Sequence, residues 1–256
     1  MRLTDFRVLT FDCYGTLIDW ESGMVEALRP LVGRVARTLS RNEVLEAHAF
    51  HEASQQAQTP TKAYNALLPV VFKRLAEQWG VHASHEECAT YGRSVGDWPA
   101  FADSAGALQY LKKFHKLVIL SNVDNASFAA SNERLQVEFD AVVTAEDAGS
   151  YKPSRRNFEY MMQRLAPGLG GAAIGKQDIL HTAESLFHDH KPANEFGLAS
   201  CWIHRRHEDE GPGATMKLAG MPRYDFRFTS MADLAKAHQE ERRSDDGRQV
   251  VPEAAT

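Results

Sequence analysis

The stretch Phe6-Arg-Val-Leu-Thr-Phe-Asp12 is a short apolar run that ends in an acid, and Cys13-Tyr-Gly-Thr-Leu17 follows it directly. A run of this kind predicts a buried β-strand that places the carboxylate of Asp12 at its carboxyl end. What that carboxylate can do depends on which groups the later strands bring beside it.

Four further short apolar runs follow along the chain, at residues 117–120, 141–144, 179–182 and 199–203. Segments with helical spacing lie between them, including residues 105–114 and 126–135. Repeated strand-helix units predict a parallel sheet covered by helices, which is an α/β fold. In such a fold the functional site lies beyond the carboxyl ends of the strands.

Two segments depart from this alternation. Residues 23–98 show helical spacing in four successive segments and no strand signal, which predicts an all-helical insertion after the first strand. Residues 239–256 are charged and poor in apolar side chains, which predicts a disordered tail.

The composition disfavours several classes of protein. The 256 residues include 29 lysines and arginines against 34 acids, and a net charge of −5 is not that of a nucleic-acid or membrane-surface protein. No apolar run approaches the roughly 18–20 residues that span a bilayer, and no signal peptide is evident, so a cytoplasmic location is expected. The widely spaced Cys13, Cys88 and Cys201 favour free thiols over disulfides.

Side chains that carry charge or form hydrogen bonds follow the predicted strands, namely Asp12, Ser121, Asn122, Lys152, Glu184, Ser185 and Asp189. Because the carboxyl ends of parallel strands share one edge of a sheet, these groups are expected to lie together. Attack by a carboxylate needs such a set, with an ammonium that holds the nucleophile ionised and an acid that activates water. The sequence therefore predicts an active site at Asp12.

The order of these residues resembles the haloacid dehalogenase superfamily over residues 11–205. The motifs that carry the resemblance are Asp12-Cys-Tyr-Gly-Thr-Leu17, Ser121-Asn122, Tyr151-Lys152-Pro153 and Glu184-Ser-Leu-Phe-His-Asp189. The resemblance implies a Rossmann-like core domain of residues 1–22 and 99–238 and an inserted helical cap domain of residues 23–98.

The residue two positions after Asp12 separates the branches of this superfamily. Phosphatases of the superfamily have an aspartate there as general acid, whereas this chain has Tyr14. A phenol, with an ordinary pKa of about 10, is a poor proton donor. The motif is instead similar to the L-2-haloacid dehalogenase branch. This implies that a short 2-haloacid is converted to a 2-hydroxy acid and halide through an aspartyl ester on Asp12.

The resemblance also implies roles for the motif residues. Lys152 keeps Asp12 ionised, and Asp189 or Glu184 orients the hydrolytic water. The substrate-binding residues are Tyr14, Thr16, Ser121, Asn122 and Ser185. Asn122 and Tyr14 contact the halide, while Thr16 and Ser121 hydrogen-bond the nucleophile. No cofactor and no metal is implied, the partner is a small haloacid, and homodimers are common in the family.

Departures from the dehalogenase pattern keep other functions open. The predicted cap helix at residues 42–58 lacks the arginine that this branch usually brings to the halide or the substrate carboxylate. His48, His51 and Gln55 lie there at helical spacing, either in its place or as a solvated helix face. Phe158 also stands where the family often has a tyrosine. A non-catalytic binding module is therefore one alternative.

The fourth motif leads to a second alternative. Glu184 and Asp189 keep the two-acid spacing of magnesium-dependent phosphatases, and with Asp12 they would offer oxygen ligands to a hard cation. A magnesium-dependent phosphohydrolase would use such a site. His181, eight residues before Asp189, is interpreted as a residue that packs beneath this loop.

Overall fold

The computed structural model describes residues 1–208, 213–216, 218 and 220–249. Its strands are β1 Val8–Phe11, β2 Lys116–Ser121, β3 Ala141–Thr144, β4 Ile179–Ala183, β5 Ala199–Ile203 and β6 Phe226–Phe228. They form one sheet in the order β3-β2-β1-β4-β5-β6, and every neighbouring pair is parallel. The predicted α/β fold is confirmed.

Helices cover the sheet and fill the long interval after β1. Their bounds are α1 Trp20–Val32, α2 Arg41–Gln58, α3 Tyr64–Gln78, α4 His85–Arg93, α5 Ser104–Leu111, α6 Asn125–Leu135, α7 Ala145–Ala148, α8 Arg155–Leu165, α9 Lys191–Phe196 and α10 Met231–Gln249. None of the helices in the described ranges is both long enough and apolar enough to cross a membrane.

Strand β1 lies in the middle of the sheet, where the strand order reverses direction. Phe11 is in register with Ile119 of β2 on one side and with Thr182 of β4 on the other. The residues after β1, β2 and β4 therefore meet at one edge. In a doubly wound sheet this switch point is the crevice in which ligands bind.

Apolar side chains pack on both faces of the sheet. On one face Val8 and Leu120 belong to a buried cluster with Phe158 of α8 and Phe196 of α9. The other face contributes Leu9, Phe11 and Ile119 to a larger cluster that continues into α1–α4. Burial on both faces explains why these strands appear in the sequence as unbroken apolar runs.

Helices α1–α4 and a 3-10 turn at Ser94–Asp97 occupy the interval for which the sequence predicts a helical insertion. Two hydrogen bonds join the start of α3 to loops of the sheet. Asn65 donates from its backbone nitrogen to Asp124 Oδ2 at 2.9 Å, and the Tyr151 hydroxyl donates to the carbonyl of Lys62 at 2.5 Å. The division into a core and a cap domain stays a prediction.

The carboxyl-terminal part differs from the prediction. Residues 239–249 continue α10, so the predicted disordered tail is wrong for this stretch, and residues 250–256 lie outside the described ones. The physical reason is long-range contact, since Arg2 pairs with Asp245 at 2.7 Å and Thr4 donates to Glu241. The short edge strand β6 had no sequence prediction. Cys13, Cys88 and Cys201 are free and buried.

Candidate active site

Asp12 lies directly beyond β1 and is nearly buried, with 6% of its surface exposed. Its Oδ1 accepts a hydrogen bond from Lys152 Nζ at 2.9 Å, and its Oδ2 accepts one from the Thr16 hydroxyl at 2.8 Å. The turn between Asp12 and Thr16 passes through Gly15 with a φ of 95°, a backbone conformation that favours glycine. This tight turn lets Thr16 reach back to the carboxylate that precedes it.

The ammonium of Lys152 is fully engaged. Besides Asp12 it donates to the Leu120 carbonyl at 2.8 Å and to Asp189 Oδ1 at 2.6 Å, so all three of its N–H groups have acceptors. Its backbone is fixed as well, because Asn122 donates to the Lys152 carbonyl at 2.9 Å and accepts from its N–H at 2.6 Å. Asn122 of the second motif therefore positions Lys152 of the third motif.

Asp189 lies in a single π-helical turn, Leu186–His190, that follows β4. The same Oδ1 that meets Lys152 also lies 2.9 Å from His181 Nε2, and His181 Nδ1 lies 2.9 Å from the Thr10 hydroxyl. A carboxylate only accepts, so Nε2 donates to Asp189. Asp189 Oδ2 is buried and has no hydrogen-bond partner among the described residues.

Opposing effects act on the ionisation of these groups. Burial raises the pKa of Asp12 above its ordinary value, and the nearby Lys152 ammonium limits that rise. Burial acts against ionisation of Asp189 too, but Lys152 and His181 together hold its pKa below the usual range. The pKa of Lys152 is raised, because the two carboxylates outweigh its burial. An ammonium between two carboxylates therefore leaves a net negative charge at the site.

A cavity of about 40 Å³ opens onto Asp12. Its lining comprises Asp12, Tyr14, Trp20, Glu52, Gln56, Tyr64, Ser121, Asn122, Lys152, Ser185, His188, Asp189 and Thr215. The structure thus brings seven of the nine predicted site residues to one cavity. Among them the Ser121 hydroxyl is buried and has no partner in the described structure, so it remains available to a ligand.

Tyr14 presents its ring, rather than its hydroxyl, to the cavity. The hydroxyl lies 2.8 Å from Ser131 Oγ on α6, and the ring meets Trp98 edge to face at 5.8 Å. Burial raises the pKa of Tyr14 well above its ordinary value, so the phenol stays neutral. A group held in this way acts as a wall of the cavity.

Thr16 and Glu184 do not line this cavity. Thr16 contacts Asp12 from the side and accepts from the Glu184 backbone N–H at 2.9 Å. The Glu184 side chain lines a separate cavity of about 150 Å³ that also contains Arg205 and Arg206. Burial, with Glu21 and Asp12 nearby, raises the pKa of Glu184 to about 8. The expected role of Glu184 in orienting water at Asp12 does not fit this placement.

The donor set at Asp12 does not match the magnesium alternative. Glu184 faces the other cavity, and Lys152 occupies the space between Asp12 and Asp189. Across the part of the chain that the structure describes, no cluster of three or more histidine, cysteine, aspartate or glutamate side chains is arranged to hold a metal ion.

Several residues near Asp12 had no sequence prediction for this site. His181 contacts Asp189 although it was interpreted only as a packing residue. From α2 the cavity receives Glu52 and Gln56, whereas His48 and Gln55 are buried elsewhere, so a solvated face is wrong for those two. In the sequence, the one indication for Glu52 is its position one helical turn after His48, which places the two residues on the same face of α2.

Together these features define a class: an α/β protein with a buried aspartate, paired to a lysine, at the switch point of a parallel sheet. The chain belongs to the haloacid dehalogenase-like hydrolase family, whose model matches residues 6–177.

Known relatives are consistent with that assignment. An (S)-2-haloacid dehalogenase from Pseudomonas putida is 26% identical over 209 residues, which cover 80% of this chain and 87% of the relative. Another from Pseudomonas fluorescens is 29% identical over 109 residues, 41% of this chain and 44% of that protein.

Solved structures share the fold. The L-2-haloacid dehalogenase from Xanthobacter autotrophicus, with chloropropionic acid covalently bound, superposes with a TM-score of 0.73 at 17% identity, covering 91% of this chain and 98% of that one. The HAD-hydrolase YfnB from Bacillus subtilis, bound to magnesium, gives 0.69 at 18% identity, covering 93% and 100%.

Proposed function

We propose that this protein is a hydrolytic dehalogenase that converts short 2-haloacids into 2-hydroxy acids and halide. The observation that carries the proposal is the environment of Asp12, a buried carboxylate held by Lys152 and Thr16 that opens onto a small cavity walled by Tyr14. Nothing acidic stands two residues after Asp12, and a departing halide needs no proton. The curated relatives named (S)-2-haloacid dehalogenase support the same activity.

The first step is displacement at carbon. A carboxylate oxygen of Asp12 attacks C2 of the substrate, the C–O bond of an aspartyl ester forms, and the carbon–halogen bond breaks with its electron pair leaving on the halide. Attack from the side opposite the halogen inverts C2. Lys152 and Thr16 each hold one oxygen of Asp12, which fixes the direction of the carboxylate before substrate binds. Asn122 lines the same cavity and offers an N–H to the departing halide.

The second step hydrolyses the ester. Water adds to Cγ of Asp12, and the bond between Cγ and the bridging ester oxygen breaks. The 2-hydroxy acid therefore leaves with one original oxygen of Asp12. Asp189 lines the cavity and its Oδ2 has no partner among the described residues, so we assign to Oδ2 the hydrogen bond from the attacking water, whose proton finally passes to solvent. His181 and Lys152 both hold the other oxygen of Asp189, which leaves Oδ2 free to accept from water.

The magnesium-dependent phosphohydrolase finds less support in these residues. Glu184 lies outside the cavity of Asp12, and the position of the phosphatase general acid holds Tyr14. A working Asp12 likewise separates the proposed enzyme from a non-catalytic binding module. A cytoplasmic location, function without a cofactor and a homodimer stay predictions, and light scattering of the purified protein tests the last.

The decisive experiment measures halide released from L-2-chloropropionate and chloroacetate, with EDTA and with magnesium, beside phosphate released from a panel of phosphoesters. We expect halide release in both conditions. Asp12→Asn abolishes it, while Asp97→Asn, which changes an exposed aspartate whose side chain is 88% accessible, leaves it intact. Single turnover in H₂¹⁸O places label in Asp12. Phosphate release only with magnesium, and no halide from either acid, would overturn the proposal.

A further inference from the structure

An acid from the helical insertion lies in the cavity of Asp12. Glu52, on α2, is only 5% exposed, and with Gln56 and Tyr64 it lines the part of the cavity that the insertion contributes. Its Oε1 accepts a hydrogen bond from the Tyr64 hydroxyl at 2.7 Å. A buried acid is unexpected in a site that is to receive an anionic substrate.

The lining that the structure describes contains no free cation to balance a substrate carboxylate. Lys152 is the one lysine or arginine among the described lining residues, and all three of its N–H groups are already donated. A 2-haloacid anion entering this cavity would therefore meet Glu52 and Asp12 with no unengaged ammonium or guanidinium in the described lining.

The groups around Glu52 do not supply positive charge either. On its own helix His48 Nδ1 lies 3.9 Å from Oε2, too far for a hydrogen bond, and burial lowers the pKa of His48 to about 3. The neighbouring titratable groups from the other elements are Tyr64, Tyr91, Tyr151, Asp12, Lys152, His188 and Asp189. The tyrosines are neutral, and burial lowers the pKa of His188 to about 4.

We propose that Glu52 determines substrate specificity by binding the carboxylate of the 2-haloacid through a shared proton, with the neutral Glu52 carboxyl donating to the substrate anion. Two carboxylates close together in a buried site cannot both ionise, so one proton between them is the stable arrangement. The inference rests on the proposed dehalogenase function and gives Glu52 the place of the arginine that residues 42–58 lack.

The ionisation of Glu52 agrees with this role. Burial raises its pKa to about 7, and the hydrogen bond from Tyr64 opposes the shift without cancelling it. Glu52 is therefore largely protonated at neutral pH and below. Above that range the carboxyl ionises and repels the substrate, which is anionic throughout because short 2-haloacids are strong carboxylic acids.

The test follows KM and kcat for L-2-chloropropionate between pH 5.5 and 9. In the wild-type protein KM is expected to rise about tenfold for each pH unit above about 7, as the neutral fraction of one carboxyl falls. In Glu52→Gln, whose amide donates at every pH, KM stays within about threefold over the range. Glu46→Gln removes an exposed acid of the same helix and should follow the wild type.

A second measurement does not need turnover or a variant. Binding of propionate to the wild-type protein at pH 8 is followed by calorimetry in buffers of different ionisation enthalpy. We expect uptake of about one proton per propionate bound. Binding without proton uptake would overturn the shared proton even if Glu52→Gln did not fold.

The outcomes separate this inference from the proposed function. Absence of halide release by the wild type at every pH would defeat the proposed function, and proton uptake with propionate would still decide the role of Glu52. Halide release with a KM that climbs identically in wild type and Glu52→Gln would defeat the inference and leave the dehalogenase intact.

Discussion

His181 Nε2 lies 2.9 Å from Asp189 Oδ1, deep beneath the cavity, and neither side chain is accessible to solvent. His181 is part of β4 and Asp189 lies in the turn that follows it, so one strand and its extension set the distance. Oδ1 of Asp189 is thereby held by His181 and Lys152, while Oδ2 has no partner among the described residues. His181 is a positioning residue in this arrangement.

Replacing His181 with leucine should slow the hydrolysis of the ester. A hydrogen bond to a charged group contributes about 1.5–3 kcal/mol, which corresponds to a fall in kcat of about tenfold to a hundredfold. KM should change little, because His181 does not reach the cavity. Thr10→Val, which removes only the hydrogen bond to His181 Nδ1, is the matched control and should show a smaller loss of kcat. A fall in kcat/KM that came entirely from KM would contradict the positioning role.

Lys152→Met should destabilise the fold as well as stop catalysis. Removing the ammonium leaves Asp12 and Asp189 buried without their cation, and breaking a buried ion pair in this way costs about 3–5 kcal/mol. Urea unfolding at pH 7.5 and pH 5 measures the cost. The deficit should be smaller at pH 5, because the unpaired carboxylates then take up protons. An equal loss in the free energy of unfolding at both pH values would show that the unpaired charges are not the cause of the destabilisation.

Tyr14→Phe should leave kcat within about threefold of the wild type. The hydroxyl is engaged with Ser131 of α6 and not with the cavity, so its loss costs about 1 kcal/mol of stability and leaves the ring in place. Tyr14→Ala removes the wall of the cavity and should lower kcat/KM by more than tenfold. A large loss of kcat in Tyr14→Phe would mean that the hydroxyl takes part in the reaction.

The contact of α10 with the sheet should weaken in acid. His238 Nδ1 lies 3.1 Å from the Tyr110 hydroxyl and His238 Nε2 lies 2.9 Å from His115 Nε2, so at least one of the two rings must be neutral to accept. Burial is the main reason that the pKa of His238 falls from 6.5 to about 4, and burial lowers the pKa of His115 too.

The direction in which stability changes with pH depends on whether the folded or the unfolded state binds the proton. Above pH 6.5 neither the folded nor the unfolded state is protonated at these rings, so they add no pH dependence. Between pH 6.5 and about 4 these histidines bind protons in the unfolded state but not in the folded state. The free energy of unfolding therefore falls by about 2 kcal/mol over this range. Urea unfolding across this range should show a shallower fall in His238→Phe, whereas His85→Gln, at an exposed position, should match the wild type.

Several predicted residues that line the cavity share a physical property: each lies at the end of a strand or in the turn that follows it. Asp12, Ser121 and Asp189 meet because parallel strands end at one edge, which alternation of strands and helices predicts without knowledge of side-chain packing. The resemblance implies the contact of Lys152 with Asp12, but the other two acceptors, the Leu120 carbonyl and Asp189, had no prediction.

Glu184 and Glu52 show where sequence reasoning stops. Glu184 stands five residues before Asp189, and only the path of the backbone after β4 decides that its side chain enters a different cavity. Glu52 reaches the cavity of Asp12 because of the face that α2 turns toward it. Helical periodicity defines the faces of α2 but does not say which face meets which part of the sheet.

The small cavity at Asp12 has a kinetic consequence. At about 40 Å³ it holds roughly three water molecules. We expect substrate to enter when α1–α4 move away from the sheet, a movement that would break the hydrogen bonds from Asn65 to Asp124 and from Tyr151 to Lys62. Where this opening limits the rate of the proposed reaction, substitutions at these two hydrogen bonds should alter turnover without touching a reacting atom.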